Sequence, residues 1–147
     1  TAQPYANSAK ESLGDNAVFW SVQSNQLLYT QVISTNDWIS SNQGLVRKFL
    51  QSLLLAEDFA LSHPIEAKAI LNSKMNFTDE YIETVWTQNQ FELSLEQSMI
   101  LAMEGEARWL ITNNLTEAEA VPNFLNYIYV DGLEGIKPES VNIIGLR

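Results

Sequence analysis

A mainly α-helical chain carrying two strands is the fold class this sequence predicts, and three observations lead to it. Apolar residues recur three to four positions apart over most of the chain beyond residue 35. β-Branched and aromatic residues cluster in only two short stretches ahead of that point. Helix starts and stops are marked by Thr, Ser, Asn and Pro at the edges of the periodic runs. With 147 residues, 46% of them hydrophobic, the chain is long and apolar enough for one domain with a real core, which excludes a disordered segment.

The longest unbroken periodic run covers residues 42–62, where Leu45, Val46, Phe49, Leu50, Leu53, Leu54, Ala56 and Ala60 share one face. It reads as the core helix, opened by Asn42 and stopped at His63 and Pro64. Ahead of it, 4–13 predicts a short helix with Pro4 in its first turn and Gly14 ending it in a left-handed conformation. The two strands are placed at 17–22 and 27–34, with 23–26 either closing a hairpin or leaving the strands to pair outside the chain. A turn of helix follows at 36–41.

Beyond Pro64 a helix is expected to 72, with Ile65, Ala69 and Ile70 on its apolar side. Thr78, followed by Asp79 and Glu80, opens another helix striped by Tyr81, Ile82, Val85 and Trp86. Ser94 and Gln97 have capping-box spacing at the head of a long helix to about Asn113, with Leu95, Met99, Ala102, Met103 and Leu110 inward. Phe124, Tyr127 and Tyr129 form an aromatic patch, and 141–144 is a terminal apolar segment.

A net charge of −10, with eight scattered Lys and Arg, disfavours nucleic acid as a partner, since a duplex has to be neutralised by clustered cations. No apolar run approaches the roughly 20 residues of a membrane-spanning helix. The absence of cysteine excludes disulfides, thiolate metal sites and cysteine nucleophiles, but does not indicate a compartment. The start at Thr1, with no methionine or leader pattern, leads us to expect a processed or excised piece of a longer protein.

Catalytic constellations are scarce. His63 belongs to a helix junction, in a capping or exposed role. Glu104 and Glu106, two apart on a helix, cannot face one another, whereas Glu104 and Arg108 form an i,i+4 ion pair. Each tryptophan, at 20, 38, 86 and 109, is expected to fill the core. No phosphate-cradling glycine loop, nucleophile elbow or metal-ligand spacing is present, so the expectation is a non-enzyme without cofactor or metal.

Taken in order, the motifs Gln3-Pro4-Tyr5-Ala6, Leu13-Gly14-Asp15-Asn16 and Leu28-Tyr29-Thr30-Gln31-Val32-Ile33-Ser34 are followed by Leu45-Val46-Arg47-Lys48-Phe49-Leu50 and Ala56-Glu57. Phe91-Glu92-Leu93-Ser94-Leu95, Glu106-Ala107-Arg108-Trp109, Val121-Pro122-Asn123-Phe124-Leu125 and Lys137-Pro138-Glu139-Ser140-Val141 complete the series. The series resembles the C-terminal portion of the periplasmic substrate-binding proteins of nitrate, sulfonate and taurine-type ABC importers. That family has an α/β fold of two lobes, holding its ligand in the cleft between them and releasing it by hinge opening. Its members are about twice as long as this chain, so the resemblance implies a fragment without a complete cleft.

By this resemblance, 1–26 is the last segment of the second lobe, 27–34 the strand returning through the hinge, and 35–147 a helical part packing on the first lobe. It implies a small-molecule ligand (a sulfonate, nitrate, taurine or a pyrimidine-like solute), an ABC permease as partner, and a periplasmic or extracellular location with a lipid anchor upstream. Gln3 and Tyr5, beside Pro4 where a strand end meets a helix start, are the expected ligand-facing residues. Thr30 and Gln31 are the expected hinge residues. Uncovered strand edges predict self-association of the fragment as an exchanged dimer. Two other classes stay open: a sensing or protein-interaction module derived from a binding protein, and the fungal thiamine-pyrimidine synthases, which share the fold but carry a cysteine-rich motif that this chain lacks.

Overall fold

The structure is a computed structural model that describes residues 5–20 and 27–145. These carry seven α-helices: α1 (Tyr5–Leu13), α2 (Asn36–Ser41), α3 (Gln43–Ser62), α4 (Pro64–Met75), α5 (Asp79–Trp86), α6 (Gln97–Thr112) and α7 (Asp131–Glu134). Short 3₁₀ turns lie at Gly14–Asn16, Phe124–Tyr127 and Pro138–Ser140. By their contacts the described residues fall into two units, one within 5–30 and 59–91, the other within 31–58 and 92–145.

Neither expected strand forms among the described residues. Residues 17–20 and 27–34 run without a ladder, and 21–26, with the rest of the first strand and the hairpin turn, lie outside the described residues. The physical reason is that β propensity expresses a fit to a neighbouring strand, and among the described residues no strand lies alongside. Ile33 is 87% exposed. The only β pairing among the described residues is an isolated parallel bridge between Leu95 and Val141, made by Leu95 N–H donating to Ser140 O (2.9 Å) and Asn142 N–H donating to Leu95 O (3.0 Å).

In the first unit, Gly14 at φ +52° follows α1 in the left-handed conformation its position predicts. The α4 and α5 pair buries Ala67 and Ile82. Thr78 caps α5 as expected, its Oγ1 accepting from Tyr81 N–H at 3.2 Å. The stripe predicted for α5 is also found, with Ile82 buried and Tyr81, Val85 and Trp86 half-buried. The face predicted for α4 is wrong: Ile65, Ala69 and Ile70 are exposed and Ala67 turns inward. Apolar residues are spread round this helix, so their spacing selects no face. His63 is exposed at the N-cap position of α4 without capping it; its ring stacks on Phe59 with centroids 5.1 Å apart.

In the second unit, α6 is anchored by buried Met99 and Ile100, and α7 by buried Leu133. The expected capping box is absent, because α6 starts at Gln97 and Ser94 lies ahead of its N-cap, Glu96. The free amide of Gln97 instead donates to Asn142 Oδ1 at 3.0 Å, from 45 residues along the chain. Gln97 Oε1 in turn accepts from Ile144 N–H at 2.9 Å. The ion pair of Glu104 with Arg108 forms at 3.1 Å.

The expectation that α3 is a core helix is corrected. None of its residues is buried: Val46, Leu50, Leu53, Leu54 and Ala60 are half-buried, whereas Leu45, Phe49 and Ala56 are exposed. The stripe is wider than the material that covers it. Its first turn is closed by the main chain of Asn42, whose carbonyl accepts from Leu45 and Val46 N–H at 2.8 and 3.0 Å. The Asn42 side chain turns back to α2, donating to Trp38 O at 2.9 Å. The tryptophans likewise depart from expectation: Trp38 and Trp109 are exposed, Trp20 is 81% exposed, and Trp86 alone is half-buried.

Candidate functional site

Three sequence motifs that lie far apart along the chain meet in the second unit. Glu57 on α3, Leu93 ahead of α6 and Lys137 after α7 form one hydrogen-bonded node. Lys137 Nζ donates to Glu57 Oε1 at 2.6 Å, and Leu93 N–H donates to the other carboxylate oxygen, Oε2, at 2.8 Å. Lys137 also reaches the Leu93 carbonyl at 3.4 Å. The side chains are only 11% (Glu57) and 14% (Lys137) exposed, so both carboxylate oxygens and the ammonium are satisfied inside the protein rather than by bulk water. Such a pair orders the chain more than it adds stability, because desolvation offsets much of the attraction.

In the same unit, the first turns of α3 and the segment around α7 line a half-open cavity of about 340 Å³. Gln43, Gly44, Val46 and Arg47 form one wall; Tyr129, Asp131, Gly132, Gly135 and Ile136 form the other. Close approach of the walls depends on Gly132, since a Cβ there would lie 2.9 Å from both Leu50 Cδ1 and Tyr129 Cε1. The cavity falls within the size range of small-ligand sites.

Tyr5, Thr30 and Gln31, predicted as ligand and hinge residues, do not line this cavity. Gln3 lies outside the described residues. Tyr5 is the first residue of α1 and is 72% exposed. Thr30 and Gln31 are exposed in the extended stretch after residue 26, with Gln31 Nε2 donating to Met103 Sδ at 3.5 Å. Among the described residues no group of three His, Asp or Glu is arranged to hold a metal ion.

Sequence reasoning missed both the node and the cavity. Nothing in a linear pattern says that Glu57 and Lys137, 80 residues apart, share a hydrogen bond. A usable signal existed: Glu57 falls three residues after Leu54 and three before Ala60, within the apolar period of a long helix, where an unpaired carboxylate is costly. The chain matches no protein-family model, no curated protein and no solved structure. No helix among the described residues is long and apolar enough to cross a membrane.

Proposed function

We propose that this chain is the C-terminal portion of the solute-binding component of an ABC importer, serving a small anion or organic solute such as a sulfonate, nitrate, taurine or a pyrimidine-like compound. The observation that carries the reading is the half-covered stripe of α3, where Val46, Leu50, Leu53 and Leu54 are partly packed while Leu45 and Phe49 stay exposed. A helix that packs on a lobe supplied by another stretch of polypeptide presents such a stripe. The motif order along the chain and the extended apolar 27–34 stretch support the same reading, with strands beside it belonging to the missing lobes. In this proposal the whole protein works in the periplasm or outside the cell and delivers its ligand to a permease, without enzymatic activity or cofactor. Gln3 and Tyr5 face the ligand, and Thr30 and Gln31 lie in the hinge.

The test is calorimetric titration of the full-length polypeptide with nitrate, taurine, an alkanesulfonate and an aminopyrimidine. Saturable one-to-one binding of one of them is expected, weakened by roughly 1–3 kcal/mol in Tyr5→Ala if a hydrogen bond to the ligand is lost. Proline at Thr30 should alter affinity through the hinge. Failure of every solute to bind overturns the proposal. The uncovered apolar surface also supports self-association of the isolated chain. Light scattering should therefore give a mass above that of the monomer, and a clean monomer at high concentration counts against it.

A further inference from the structure

Residues 137–144 hold down the stretch on which the chain enters the second unit for the last time. That entry falls between Phe91 and Glu92, and the residues just after it are bound at every second position. Leu93 N–H donates to Glu57, whose carboxylate is fixed by Lys137, and the Leu93 carbonyl also meets Lys137 Nζ. Leu95 N–H donates to Ser140 O, and Leu95 O accepts from Asn142 N–H. Gln97 N–H donates to Asn142 Oδ1, while Gln97 Oε1 accepts from Ile144 N–H. One edge of 93–97 is thus turned to the residues near the C-terminal end, the pattern of a parallel pairing in which alternate residues bond the same neighbour.

What holds this pairing is polar. None of residues 137–144 is buried, whereas α6, which starts at Gln97, is anchored by Met99 and Ile100. A segment rich in main-chain hydrogen bonds and poor in apolar burial opens at a lower free energy than the fold as a whole. Its bonds also stand together, because a slip of one residue would turn the bonded edge of 93–97 away from its partners. We propose that residues 137–144 are a latch that leaves 93–97 as one cooperative unit, switching this stretch between a fastened and a free state while α6 stays folded. Lys137 is the root of the latch, and Asn142 and Ile144 are its tip. The buried ion pair and the cap of α6 are then two ends of one device rather than separate contacts. The open state presents the donors and acceptors of Leu93 and Leu95 unpaired, as an edge that another extended chain or a protease can engage. Every residue of the latch belongs to the second unit, so its failure and the failure of the solute-binding reading are separate results.

The experiment is native-state amide hydrogen exchange of the chain, resolved by NMR where exchange reports the opening equilibrium. The amides of Leu93, Leu95, Gln97, Asn142 and Ile144 all donate within the latch and are expected to share one degree of protection. That protection should lie at least about tenfold below that of the amides in the middle of α6. Asn142→Ala removes the acceptor that serves Gln97, at an exposed position where the fold tolerates it. It should speed exchange at all of these amides by one common factor, about two- to tenfold for a single hydrogen bond, and leave residues 102–109 unchanged. Asn142→Asp, which keeps the acceptor, should restore protection. Glu57→Gln should speed the same set from the other end. A response to Asn142→Ala confined to Gln97, protection that differs widely among these amides, or exchange of all of them only together with the middle of α6 overturns the latch.

Discussion

Two ion pairs of equal length, one inside each unit, do different things. Lys68 Nζ meets Glu83 Oε2 at 2.6 Å across α4 and α5, and Lys137 Nζ meets Glu57 Oε1 at the same distance. Glu83, however, is 67% exposed, so water and salt screen the first pair. Lys68 gains more from its apolar stem and from lying 5.4 Å above the Trp86 ring. The second pair is largely dry, and its carboxylate also holds a main-chain amide. Separation alone therefore says little about the role of a contact; solvent access and the number of groups that depend on it decide.

The sharpest way to break this contrast is Glu57→Ala. It leaves Lys137 and the Leu93 amide without their partner, and a loss of about 3 kcal/mol is expected in urea denaturation, at the low end for breaking a buried pair. Hydrogen exchange at Leu93 should quicken in the same variant, and unchanged exchange there would show that the node does not order this segment. Gly132→Ala comes next, at about 1–2 kcal/mol, because the new methyl group meets Leu50 and Tyr129. The contacts are with side chains that can give way, and combining the change with Leu50→Ala should return part of the loss. Thr78→Ala removes the α5 cap and should cost about 1 kcal/mol, read as a lower thermal midpoint. Glu83→Gln is the smallest, below about 0.5 kcal/mol. A Glu83→Gln effect as large as that of Glu57→Ala would abolish the distinction drawn between the two pairs.

Much of the helical layout is legible in the sequence, because local rules govern it. The limits of α1 and α2, the Thr78 cap, the α5 stripe and the Glu104 to Arg108 pair each depend on residues within four positions of one another. What failed depends on distant partners. Residues 27–34 have strand composition without a strand beside them. Ser94 and Gln97 have capping spacing, but the start of α6 is served by Asn142. Ile100 is buried although it was not assigned to the inner face of α6, since the seat of that helix is set by what packs on it. The tryptophans were expected inside because large rings usually find cover, and Trp20 and Trp109 find little. The cavity is illegible for the same reason as the node, as its two walls are separated by some 80 residues of sequence.

The long-range capping of α6 has a consequence for the order in which the chain can finish itself. A protein is made from its N-terminus, and helices ordinarily acquire their caps from residues already beside them. Here the amide of Gln97 waits for Asn142, and Glu57 waits for Lys137. On the ribosome, α3 and α6 are synthesised long before the residues that complete them. Until residues 137–144 emerge, the first turn of α6 is free to fray and the Glu57 carboxylate remains in water. The final residues of the described chain thus act as its fastener, and newly made polypeptide lacking them would be the form most exposed to proteases and to mispairing.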